Sequence, residues 1–134
     1  MKNSRLPRIL KGIAVWLPTI LFAMLFLQAG VGKFAASAAW SERLAGWGYP
    51  AGSNMVIGAV ELLAAIALLV PRFAGYGAAT IGVVMLGACG THFLHGETTS
   101  TIFTFVLATF LFTLAWFRLP RKHLVKPSAT AASA

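Results

Sequence analysis

Acidic residues are scarce in this chain, three against eleven basic ones in 134 positions, and charged residues of both signs make up only 10% while hydrophobic ones make up 58%. That balance excludes an ordinary soluble domain. Cysteine occurs once, as Cys89, so no disulfide can form within the chain and its redox compartment cannot be read from pairing. A phosphate-cradling glycine loop, a Cys-x-x-Cys pair, a His-Glu-x-x-His helix and a nucleophile elbow are all missing, which argues against a soluble-type active site carried by this chain alone. No internal repeat is evident, which weakens any reading as a transporter built from inverted halves.

What is present is long apolar runs. Residues 12–32, 53–70, 73–93 and 98–117 each approach the ~20 residues needed to cross a bilayer, and Glu61 is the one carboxylate set deep inside them. The pattern predicts an all-α integral membrane protein, a four-helix bundle spanning residues 12–119. A basic segment precedes it at residues 1–11, and a basic, then disordered, tail follows at 120–134.

The formal charge of +8 follows this topology rather than nucleic acid. Lys2, Arg5, Arg8 and Lys11 precede the first span, Arg72 lies between the second and third, and Arg118, Arg121, Lys122 and Lys126 follow the fourth. The alternate loops hold only Lys33 and Arg43. Basic residues beside spans stay inside, so both termini and the Arg72 turn are expected in the cytoplasm, with the lipid bilayer as the partner of the spans. A cleaved signal peptide fits less well, because the first apolar run exceeds the ~7–15 residues of a signal core and Lys33 separates it from Ala36-Ser-Ala38. Trp40, Trp47 and Tyr49 fall in the outer connection, which reads as a loop or short helix at the headgroups, or as a docking surface from Trp40 to Gly52 for membrane or periplasmic proteins.

Glu61 is the first candidate for chemistry, since a carboxylate in hydrocarbon costs about 2.5–3.5 kcal/mol on insertion scales. In this topology Glu61, Lys33 at the end of the first span and His92 at the end of the third all lie in the outer half, where they would form a proton- or ligand-handling site or, for Glu61 with Lys33, a structural lock. Gln28 adds a polar amide near the same surface. Met85, Cys89 and His92 share one face of the third span and are soft enough for Cu(I), although a stripe on one helix more often serves packing. His95-Gly-Glu97 reads as a solvated turn, and the threonines of the fourth span as bonded back to their own helix.

Four stretches form a set: Gly30-Val-Gly-Lys-Phe34, the outer connection Gly46 to Pro50, Gly58-Ala-Val-Glu61, and Gly87-Ala-Cys-Gly-Thr-His-Phe93. On these the chain from about Leu10 to Leu119 bears a resemblance to the DoxX family of small bacterial membrane proteins. It implies a four-helix bundle in the bacterial inner membrane and, from members associated with quinone-linked or sulfur-oxidising complexes, a redox setting. Lys33 and Glu61 match the family's recurring polar positions, whereas Met85 and Cys89 do not. The leading expectation is therefore an accessory membrane subunit of a redox-linked system. Lys33, Glu61 and His92 would bind a quinone headgroup or pass a proton, with Gln28 and Glu61 in contact with the quinone. The alternatives are an inert interaction or assembly protein, and a carrier for a small ligand or Cu(I).

Overall fold

The computed structural model describes residues 5–121, and these contain five helices and no strand. The expectations for Lys2, Lys122, Lys126 and the tail beyond them lie outside the described residues. In chain order the helices are α1 (Leu6–Ala35), α2 (Ser37–Gly46), α3 (Ser53–Leu69), α4 (Ala74–Leu94) and α5 (Thr98–Arg118). Three of them, α1, α4 and α5, are long and apolar enough to cross a membrane. At 17 residues α3 is shorter, roughly 26 Å against the ~30 Å of hydrocarbon.

The first helix starts at Leu6, six residues before the apolar run expected to span the membrane. Pro7 stands in its first turn, where a missing N–H costs nothing, and long basic side chains such as Arg8 and Lys11 remain helical while their charged heads reach water. The helix also continues through Pro18. Large apolar side chains cover the outward faces, among them Leu17, Leu21, Leu63, Val83, Phe110 and Trp116. Such surfaces suit contact with lipid.

Packing runs α1 against α3, α3 against α4, and α4 against α5. Small residues on α4 allow it: a Cβ at Gly77 would lie 2.5 Å from the Ala64 carbonyl oxygen of α3, and one at Gly75 would lie 2.7 Å from the Leu119 nitrogen just beyond α5. Gly82 in turn receives the ring of Phe112. The buried core of Ala23, Phe26, Ala65, Leu68, Ile81 and Leu111 fills the middle. By contrast, α1 and α5 come together only at isolated points. One of these is a clasp at the end opposite α2, where Arg118 Nη2 donates to the buried Thr19 Oγ1 at 3.0 Å and the guanidinium stacks 4.2 Å from the Trp16 ring. Thr101, Thr104, Thr109 and Thr113 of α5 each donate to a carbonyl one turn earlier in the chain, so these four hydroxyls are spent within the chain's own backbone.

Candidate functional site

Two glycines bring Lys33 and Glu61 together. On α1, Gly30 lies one turn before Lys33; on α3, Gly58 lies one turn before Glu61. A Cβ at Gly30 would stand 3.0 Å from the Gly58 carbonyl oxygen, and one at Gly58 would stand 3.1 Å from Lys33 Cβ. With both absent, α1 and α3 approach closely enough for Lys33 Nζ to donate to Glu61 Oε2 at 2.6 Å. The Glu61 side chain is 2% exposed and that of Lys33 9%. The ammonium also lies 4.7 Å from the centre of the Trp40 ring, which supplies cation–π attraction on a second side. Asn54, buried in the first turn of α3, donates to the Lys33 carbonyl at 3.3 Å and to Ser37 Oγ at 3.1 Å. It ties the start of α3 to the corner where α1 turns into α2.

The pair forms part of the wall of a cavity of ≈ 540 Å³ enclosed by α1, α3, α4 and α5 and covered by α2. Its surface is mainly apolar, from residues such as Phe26, Ile57, Met85, Phe103 and Leu107. The cover is fixed by side chains. Arg43 Nη2 meets Glu97 Oε2 at 3.3 Å, His92 Nδ1 lies 2.8 Å from the same oxygen, and Trp47 presents an edge contact to the His92 ring at 5.2 Å. Tyr49 and Thr91 share a hydroxyl hydrogen bond of 2.6 Å. Since a carboxylate only accepts, Nδ1 of His92 carries the proton in this contact. The cavity thus combines an ammonium, a carboxylate and an imidazole with an apolar body, a donor and acceptor set suited to a small molecule with one polar end.

The expected residues are only partly gathered here. Lys33 and Glu61 are in direct contact, and His92 lines the same cavity but is engaged by Glu97 instead of joining them. Gln28 is exposed and lies on a different face of α1, beside Leu21, Met24 and Val31, which corrects its expected place beside Glu61. The reason is helical phase: five residues separate Gln28 from Lys33, about 140° around an α-helix. Met85 also lines the cavity, whereas the Cys89 thiol is directed to the Thr101 carbonyl of α5 at 3.5 Å. Among the described residues no three His, Cys, Asp or Glu side chains are grouped to hold a metal ion.

The His95-Gly-Glu97 turn is not merely solvated, and that expectation is corrected: Glu97 is the shared acceptor of the rim. Gly96 makes this possible, because its φ of +72° folds the chain back so that a residue five positions after His92 can reach it. Desolvation works to raise the Glu97 carboxyl, but the hydrogen bond from His92 and the charges of Arg43 and His92 outweigh it and hold the group below its ordinary value of 4.5. A lowered native value means that the rim contact is fully present above that ordinary value and is lost as pH falls through the lowered one. The part of the Trp47 fluorescence change that depends on Glu97, taken as the difference between the wild-type and Glu97→Gln titrations, is expected below that ordinary value and not above it. A transition above pH 5 that persists in Glu97→Gln would show that Glu97 does not control it.

A family model described as the DoxX-like family matches residues 17–114. The chain belongs to the DoxX-like family. No curated protein and no solved structure matches it. The match takes in every residue of this DoxX-like cavity, including α2 and the rim, and stops short of the Arg118 clasp. The motif residues Gly30, Lys33, Gly58 and Glu61 of the DoxX-like chain acquire one physical meaning in this light. They are a single contact, two glycines that admit the helices to each other and two charges that meet across them.

Proposed function

We propose that this DoxX-like membrane protein is an accessory subunit of a redox-linked system and that its cavity receives a quinone headgroup. The observation that carries the reading is the buried Lys33–Glu61 pair in the wall of an otherwise apolar chamber. The Lys33 ammonium has donor capacity beyond its one bond to Glu61 and would donate to a headgroup carbonyl. The Glu61 carboxylate would accept from a hydroxyl of the reduced form, and the aromatic rings of Trp40 and Phe26 would hold the ring plane. Electrons would come from or go to a partner protein, and the exposed side of α2 is the surface we assign to it.

The setting follows from charge. Arg5, Arg8, Lys11, Arg72, Arg118 and Arg121 lie at or beyond the helix ends away from α2, and we place that end in the cytoplasm of a bacterium. α1, α3, α4 and α5 then form a four-helix bundle in the inner membrane, with both termini inside and the cavity in the outer half. A reporter fused after Arg121 should be active only if it functions in the cytoplasm; activity of a reporter that requires export would refute the orientation.

Purification in mild detergent followed by extraction tests the ligand. Quinone should co-purify in stoichiometric amount with the wild-type protein and be absent from Glu61→Gln. If wild type and variant carry equal traces, and an added short-chain quinone quenches tryptophan fluorescence no more than it does in Trp40→Phe/Trp47→Phe, the cavity does not bind quinone.

A further inference from the structure

Resting on the quinone-site reading, we propose that the cavity is loaded sideways from the membrane through the seam between α1 and α5, and that its ligand is a tailed amphiphile whose chain leaves past Leu25 and Phe103. The walls differ in how they are closed. Over the α2 end, Leu44 is buried, Trp40 covers Lys33, and Arg43, Trp47 and Tyr49 are each bound to a residue on α4 or at its junction with α5. At the other end the side chains of Ala23, Leu111 and Ala115 are buried and the Arg118 clasp shuts the helices together. The contacts of α1 with α3, α3 with α4 and α4 with α5 run along the helices. Among adjacent walls only α1 and α5 lack such a contact, and of the cavity-lining residues on these two helices Leu25 and Phe103 are large, apolar and exposed, 41% and 59%, so we assign them to that seam.

Polarity changes along the same path. The mouth is apolar and open, while the charged pair is buried. Lys33 is eight residues along α1 from Leu25, about 12 Å of helix. A ligand spanning that distance has a hydrogen-bonding head at Lys33 and Glu61 and an apolar chain at Leu25, directed toward the bilayer interior. A compact water-soluble molecule would use neither the exposed mouth nor its depth, and it would meet the fastened cover first.

A benzoquinone carrying a tail with a photoreactive diazirine, added to the protein in phosphatidylethanolamine/phosphatidylglycerol nanodiscs, tests this. Cross-links that are competed away by excess unlabelled tailed quinone are expected on Leu25, Phe103 and Leu107. Competed cross-links on Arg43 or Trp47 instead would overturn the lateral route while leaving the quinone site standing. If no cross-link is competed, the quinone site itself fails and the route with it. A kinetic arm separates entry from affinity: Leu25→Trp/Phe103→Trp, both at exposed positions, should slow association and dissociation of the tailed quinone together by about tenfold, leaving their ratio near the wild-type value. Equal rates for the tailed quinone in variant and wild type would also overturn the route.

Discussion

Lys33→Met is expected to destabilise the protein by about 3–5 kcal/mol, whereas Lys33→Met combined with Glu61→Leu should return stability to near that of the wild type. The single variant leaves a carboxylate 2% exposed with its one ion-pair partner among the described residues gone. The double variant removes both charges and fills the space with apolar volume, which buried ion pairs often tolerate or improve upon. Unfolding from mixed micelles by added denaturing detergent measures both, and a single variant as stable as the wild type would show that the pair contributes nothing. The same comparison separates structure from function. Under the quinone reading the double variant is folded and empty; if the pair is only a lock, it is folded and active.

Gly77→Ala should lower stability by about 3 kcal/mol, at the upper end of what overpacking usually costs, because the added carbon meets main chain on α3. The Ala64 oxygen at 2.5 Å and the Leu68 nitrogen at 2.9 Å belong to helix backbone and cannot rotate aside. α3 must therefore move away from α4. Gly82→Ala provides the contrast, since its added carbon would meet the Phe112 ring at 3.1 Å, and a side chain facing lipid has room to shift. Thermal unfolding of the two variants in the same detergent should rank Gly77→Ala well below Gly82→Ala. Equal midpoints would mean that the α3–α4 contact is not as tight as described.

Glu61 was legible in the sequence because a charge inside an apolar run contradicts everything around it, and Gly30 and Gly58 were legible as motif members. The boundaries of α3, α4 and α5 followed from hydropathy to within about one residue, because each apolar run is close to the length that spans hydrocarbon and is bounded by polar turns. Other features depend on where distant segments meet. Asn54 looks like an ordinary polar start to a helix, yet it is buried against Lys33 and Ser37, positions 21 and 17 residues earlier. Glu97 looks like a loop residue until α2 folds over the cavity and brings Arg43 to it. Gln28 differs for another reason: it is close to Lys33 along the chain but about 140° away from it around the helix, a phase that counting residues supplies.

The Arg118–Thr19 clasp joins positions 99 residues apart, the first transmembrane helix to the last. During synthesis the chain emerges from its N-terminus, so α1, α3 and α4 can assemble while α5 is still being made. The chamber is consequently a three-sided trough for most of translation and acquires its fourth wall only when the final helix arrives. Closing so long a loop is also the slowest kind of contact to form. A hydrophobic molecule that settled in the trough early would be enclosed by the last step of assembly, so the order of biogenesis offers a moment of loading in addition to the α1–α5 seam of the finished fold.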